Sequence, residues 1–333
     1  MKKHLITSIP FFAVFVLLLF GCKPDQQVEG VLPGVSGKPG EILVVMDTSK
    51  FNHEEGLAMK KKLQEAHKAL PQAEPMFDLI NIPGHAFKNV FRRYRNILIV
   101  NIDSKYSKPR FAVRKNVYAK PQTIIHAQAP NDSSLRELFN QKGEVAVEKF
   151  LDAERSRYIN TYKDISNAEA MDHLTKKFGI DLVIPKGYAV KLDTTNFSWI
   201  SQETPDYTQG IFVYKRPYKE NHSFTVANLV NTRNTFTEKY VPGPSLDSYM
   251  IVEELLTPYL NRQVINGNEV AIMRGLWKVK NDFMGGPFVS MSILTKDKKQ
   301  VITADGFVYA PRFDKRDYVR QIESILYTLD RAQ

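Results

Sequence analysis

The chain has 333 residues, with 46 Lys and Arg against 36 Asp and Glu, for a formal net charge of +10. Its hydrophobic share of 43% and aromatic share of 11% exclude a wholly disordered chain and supply enough apolar material for two ordinary domains. A single cysteine excludes an intramolecular disulfide framework and any Cys-rich metal site.

The beginning is the most specific stretch. Lys2 and Lys3 precede an almost wholly apolar run from Leu5 to Phe20, and Leu19-Phe20-Gly21-Cys22 closes it with the lone cysteine. Charge, apolar run and small residue in that order describe a secretory signal peptide. The run is short of the roughly 20 residues that a membrane-spanning helix needs, and it contains Pro10. The closing tetrapeptide resembles the lipobox of bacterial lipoproteins, although Phe20 stands where a small residue is usual. That resemblance implies cleavage after Gly21 and acylation of Cys22, so that the mature chain is held on a membrane by its lipid.

Residues 22–40 are rich in Gly, Pro and Gln and read as a flexible linker. Ser36-Gly37-Lys38-Pro39-Gly40 is not a phosphate loop, because it precedes a strand instead of following one. Ile42 to Met46 is a continuous apolar run, the pattern of a strand covered on both faces. A helix is expected from Asn52, with Glu55 completing a capping box, to Leu70 before Pro71. Strands follow at Phe77–Ile82, Asn96–Ile102 and Gln122–Ala127. Leu135 to Gly179 is helical, broken at Gly143 and at Ser166-Asn167, with Gly179 as the final cap. This half, residues 41–180, is expected to be an α/β domain with a partly parallel sheet and long helices.

Residues 181–333 read as an α+β domain, a mainly antiparallel sheet with helices packed on it. Strands are expected from about Tyr188 to Leu192, and over Phe197–Ser201, Gly210–Lys215 and Ser223–Val230. A helix is expected over Leu246–Leu260, capped by Ser245, with Leu246, Tyr249, Met250, Leu256 and Leu260 on its apolar stripe. Strands at Glu269–Val279, Phe288–Thr295 and Val301–Tyr309 follow, the last two joined by the Lys296-Asp297-Lys298-Lys299 turn. A final helix from Asp314 is expected to bury Tyr318, Ile322, Ile325, Leu326 and Leu329.

Catalytic and metal-binding signatures are absent from the sequence: no His-Glu-x-x-His pair, no nucleophile-elbow serine and no cofactor loop. The expectation is therefore no catalytic residue, no metal and no cofactor. His85 and His126 are the histidines worth testing, and Glu54-Glu55 and Glu253-Glu254 read as solvated helix charges. Arg92, Arg93 and Arg95 form the densest basic cluster of the first half and a candidate anion-binding patch. Trp277, with Tyr249, Tyr259 and Phe283, is a candidate groove lining for sugar or peptide, against the alternative of a core cluster.

Ser36 to Met46 after the lipobox, Ile184-Pro185-Lys186-Gly187-Tyr188, and Phe307-Val308-Tyr309-Ala310-Pro311 are together similar to an uncharacterised lipoprotein family of Bacteroidetes, the domain-of-unknown-function family 4837. The resemblance implies an exported cell-envelope protein and transfers no activity or site residue. The expected function is a lipid-anchored envelope protein with a non-enzymatic binding or assembly role, the alternative being an envelope hydrolase acting on a glycan, peptide or ester. The expected partners are the membrane through Cys22 and an envelope protein or anionic polymer, not nucleic acid. The expected place is the outer rather than the inner membrane.

Overall fold

A computed structural model describes residues 31–220 and 222–332, so the signal segment and Cys22 lie outside the described residues. Residues 33–333 group as one compact unit.

The first half is built on a five-stranded sheet. Its elements are β1 (Glu41–Val45), α1 (Thr48–Asn52), α2 (Glu54–Leu63), β2 (Asp78–Ile82), β3 (Asn96–Ile102), β4 (Arg110–Lys115), β5 (Thr123–Ala129), α3 (Asp132–Asp164) and α4 (Ala168–Phe178). The strand order is β2-β1-β3-β5-β4, with all pairs parallel except β4 against β5. The apolar run 42–46 behaves as its pattern requires. Ile42 and Val44 face α2 and α3, while Leu43 and Val45 face a second cluster built with Phe87, Phe91, Tyr94 and Tyr118.

Two local expectations change here. The first helix begins at Thr48, capped by the Asp47 carboxylate, and helical structure ends at Leu63 instead of Leu70. Residues 65–76 turn back as a loop, tied by Met76 N–H to Glu65 O at 2.8 Å and His67 N–H to Glu74 O at 2.8 Å. Gly143 does not break α3, which runs on to Asp164. A Cβ at Gly143 would stand 2.6 Å from Lys62 Cγ, so the glycine serves the close crossing of α2 and α3. The second break is real: Asn167 caps α4, and Gly179 closes it at φ +68°.

From Pro33 the expected linker is laid against the sheet. Lys120 N–H donates to Pro33 O, and Ser36 and Arg93–Arg95 exchange backbone hydrogen bonds at 2.8 and 2.9 Å.

The second half holds β6 (Ile180–Asp181), β7 (Ala189–Thr194), β8 (Phe197–Glu203), β9 (Thr208–Pro217), α5 (Val226–Tyr240), β10 (Met250–Val252), β11 (Tyr259–Ile265), β12 (Asn268–Val279), β13 (Gly285–Leu294), β14 (Gln300–Tyr309), α6 (Arg316–Leu326) and β15 (Asp330–Arg331). Its antiparallel sheet runs β10-β12-β13-β14-β9-β8-β7, with β11 also on β12. Period-two alternation divides it. Ile211, Val213, Met291 and Ile302 face α6 and α4, while Phe212, Tyr214, Phe288 and Phe307 face α5.

Two expected elements exchange identity. The strand expected at Ser223–Val230 is the start of α5, whose Thr225 hydroxyl accepts from Asn228 N–H. The helix expected at Leu246–Leu260 is instead the short strand β10, a turn at Glu254-Leu255, and the start of β11. Both strands pair with β12, and the hydrogen bonds of that pairing override a coincidental helical spacing of leucines. Leu246, expected on the buried stripe, is 92% exposed.

Helix α6 lies where the two halves meet. The buried Glu74 carboxylate accepts from Lys315 N–H and Arg316 N–H at 2.7 and 2.8 Å at its N-terminus. Arg316 reaches Asp78 Oδ2 at 2.8 Å, and Arg155 stacks 3.6 Å over the Tyr327 ring.

Candidate functional site

Helix α5 covers only part of the aromatic face of the second sheet. Beyond its C-terminus the same face forms an apolar cleft of about 350 Å³. Successive rows across the antiparallel strands supply its floor. Trp199 on β8, Phe307 and Tyr309 on β14 and Trp277 on β12 stand on the α5 side, and Met250, Val279 and Met284 close one flank. Both tryptophans of the chain line this cleft. Trp277 Nε1–H donates to Val308 O at 3.2 Å, which fixes the indole, and its ring meets Phe307 edge-on at 5.7 Å. Gly286 makes room for this, since a Cβ there would lie 2.1 Å from Val308 O.

Polar groups in the cleft are few. Glu203 and Thr208 stand at one end. A hydrogen bond from Lys191 Nζ at 3.1 Å holds the Glu203 carboxyl below its usual range against the opposing effect of burial. Ser201 also donates to Glu203. This carboxylate is committed to its neighbours, and no second carboxylate, histidine or lysine is among the lining residues.

Two loops border the cleft. Pro242, Gly243 and Pro244 lead to Leu246, and Met284 follows Phe283. Ser245 Oγ donates to Asp282 Oδ2 at 3.1 Å, joining the loops. Leu246 and Phe283 are thus held near each other, and Phe283 is wholly exposed. Along the same sheet edge follow the exposed Leu255, Leu256, Tyr259 and Val264. Among the described residues β11 pairs with β12 alone, so its outer backbone edge is open.

Of the aromatic residues singled out in the sequence, Trp277 lines the cleft and Phe283 stands at its border. Tyr249 is held by Lys280 Nζ at 2.9 Å, and Tyr259 lies on the β11 edge with Lys68 over its ring. Trp199, Phe307 and Tyr309 join Trp277 in the cleft without being groove candidates in the sequence. Their signal was the alternation of aromatics on strands, which reads equally as core.

The other candidates separate in space. His85 is exposed in a single 3-10 turn. His126 sits on β5 with Asn101 Nδ2 3.3 Å from its Nδ1; burial, and then Arg114, hold its pKa below the usual value. Its groove is lined by Asn101, Tyr106, Arg110, Ala112, Arg114 and Gln128, with no carboxylate. Each arginine of the expected anion patch meets a partner in the chain. Arg92 Nε donates to Phe87 O, Arg93 reaches Gly34 O at 3.0 Å, and Arg95 pairs with the buried Glu154 at 2.8 Å. Glu54 and Glu55 meet Arg136, and Glu253 meets Lys278 from a turn, not from a helix.

One cluster has the residue types of a hydrolytic triad without its geometry. His173 Nε2 stands 3.2 Å from both Ser198 Oγ and Asp193 Oδ1, so a single ring nitrogen faces both partners. A triad needs opposite nitrogens for serine and carboxylate. The Ser198 hydroxyl donates directly to Asp193, and Ser198 is fully buried, beyond the reach of a substrate. Burial raises the Asp193 pKa, but hydrogen bonds from Lys177 and Ser198 outweigh it and leave the group lowered. This cluster fastens α4 to the β7–β8 hairpin.

Among the described residues no group of three or more His, Cys, Asp or Glu is placed to hold a metal ion, and no helix is long and apolar enough to cross a membrane.

Residues 167–328 match the profile of a domain of unknown function, DUF4837, and residues 35–163 match another, DUF8532. No curated protein matches the chain. A crystal structure of a protein from Bacteroides thetaiotaomicron VPI-5482 aligns over 46% of this chain and 46% of its own, at 10% identity and a TM-score of 0.26. This chain thus spans under half the length of that neighbour. A protein of unknown function from Pseudomonas aeruginosa, PA94, described as a putative regulator, aligns over 45% of this chain and 90% of its own, at 12% identity and a TM-score of 0.26. Neither likeness is close enough to carry an argument.

Proposed function

We propose, for a chain whose residues 167–328 belong to the DUF4837 family, a non-enzymatic role as a binding protein that receives apolar side chains of a partner polypeptide. The observation that carries it is the aromatic cleft, with Leu246 and Phe283 at its border and the open edge of β11 beyond. Exposed apolar side chains gathered at a cleft mark an interaction site. A polypeptide fits better than a lipid, because only a polypeptide also satisfies the unpaired N–H and C=O groups of a strand edge.

The setting of that role is the cell envelope. Lys2, Lys3, the apolar run to Phe20 and Cys22 support export and acylation at Cys22. Replacing Cys22 by Ser leaves an unprocessed precursor in this reading; normal membrane retention with no acyl label refutes the anchor.

A photo-crosslinking residue at position 283 of the anchored protein tests the cleft. The expected result is a discrete protein adduct that disappears in Trp277→Ala while the fold is retained. Adducts to lipid only, or a protein adduct indifferent to Trp277, refute the reading, as does turnover of a glycan or ester substrate that Trp277→Ala abolishes.

A further inference from the structure

An acid-free run of positive charge lies away from the aromatic cleft. Within it Lys105 is paired with Asp103 at 2.7 Å and Arg110 Nε donates to Gln128 Oε1 at 2.8 Å, while others have no partner among the described residues. From Ser104 to Asn131 the chain has no Asp or Glu, yet it carries Lys105, Lys108, Arg110, Arg114, Lys115 and Lys120. These residues hold +6 of the chain's +10. They are centred on β4, the outermost strand of the five-stranded sheet.

Alternation along β4 sends Arg110 and Arg114 to one face and Lys115 to the other. Each face has a groove. The first, of about 310 Å³, is lined by Arg110, Arg114, Tyr106, His126, Asn101 and Gln128. The second, of about 490 Å³, lies between β4 and α3 and presents Lys115, Lys149, Asn116, Thr123, Ser156 and Asn160. The acid in the second groove, Asp152, is taken by Arg155 Nη1 at 3.0 Å.

The side chains of Arg114, Lys115 and Lys149 have no carboxylate within 4.0 Å and no hydrogen-bond partner among the described residues. Some lysines elsewhere are paired, as Lys62 is with Glu144 and Lys191 with Glu203. An edge strand needs a charge to discourage pairing with other edges, but a lone lysine suffices for that. It does not need cations in both flanking grooves, where the one lining acid, Asp152, is already paired with Arg155.

We infer that β4 and its two grooves bind a multivalent oxyanion, a ligand with several phosphate or carboxylate groups laid across the strand edge. Arginine forks and lysine ammonium groups are the usual donors to such groups. The site is separate from the aromatic cleft, so either can fail without the other.

Binding of inorganic polyphosphate to the full chain in detergent, at about 0.15 M salt, tests it. Arg114→Glu with Lys115→Glu is expected to weaken binding at least about tenfold. Lys296→Glu with Lys299→Glu, the same charge change in the β13–β14 turn, is expected to leave it within about twofold. Lys149→Glu, on the exposed face of α3, provides a second variant should the β4 pair fold poorly. Short-chain phosphatidylglycerol that competes with polyphosphate, where phosphatidylcholine does not, identifies a lipid headgroup as the source; failure to compete identifies a free polymer. No binding by the native chain, or equal losses in the β4 and control variants, overturns the inference.

Discussion

Arg233 on α5 and Asp305 on β14 form an ion pair with both side chains wholly removed from solvent, Nε to Oδ2 at 3.0 Å. The guanidinium also lies 4.2 Å over the Phe288 ring and donates to Met250 Sδ at 3.4 Å, beside the aromatic cleft. Its Nη1 and the Asp305 Oδ1 have no partner. Removing one member of such a pair strands a buried charge, at a cost of about 3–5 kcal/mol. Arg233→Met is therefore expected to lose about 3–5 kcal/mol of stability at pH 7.

Burial raises the Asp305 pKa, and Arg233 opposes that rise. In Arg233→Met the opposition is gone and the folded-state pKa rises further. A carboxyl with a raised folded pKa binds its proton more tightly when folded, so its penalty grows as pH rises above the unfolded carboxylate value and shrinks as pH falls. The variant should recover part of its loss on acidification from pH 7 towards about 4, relative to the native chain. Because Arg233 Nη1 and Asp305 Oδ1 are unmet, Arg233→Met with Asp305→Leu should be at least as stable as native within about 1 kcal/mol. Urea unfolding of the three proteins across pH measures this. A single-variant loss below about 1 kcal/mol, or a double variant as unstable as the single, refutes the account.

Two further outcomes follow from the meeting of the two halves. Glu74→Ala removes the carboxylate that caps α6 from outside the helix and should cost about 1–2 kcal/mol in urea unfolding; Glu74→Gln, which keeps an acceptor, should cost less. His67 is pressed down to a pKa of about 4, chiefly by burial, with Arg320 lowering and Glu323 raising it. An unfolded histidine titrates near 6.5, so stability is expected to fall as pH drops from about 6.5 towards 4, a slope that His67→Gln should flatten. A His67 pKa near 6.5 in the folded chain, read by proton NMR, would contradict this.

Much of the sheet framework was legible because its signals are local. The run Ile42–Met46, the strand Asn96–Ile102 and the late strands around Ile272, Met291 and Thr303 each carry their burial pattern in consecutive residues. The Asn167 and Gly179 caps are local chemistry too. What failed was decided at a distance. The stretch from Leu246 to Leu260 has helical spacing, but β12 pairs with Met250–Val252 and again from Tyr259, with a turn at Glu254-Leu255 between them. Gly143 reads as a break until Lys62 is brought across it.

The candidate site divides in the same way. The leader's charge, apolar run and Cys22, the absence of familiar catalytic motifs, and the acid-free basic stretch from Ser104 to Asn131 are properties of residue order, and the sequence alone determines them. Which aromatics floor a cleft and which fill a core depends on where α5 stops covering its sheet, and Trp199, Trp277 and Phe307 come together only across strands far apart in the chain. Likewise Arg95 meets Glu154, while Arg114 and Lys115 meet no acid. A cation's availability depends on what folding places within a few ångströms, and that is a property of tertiary structure.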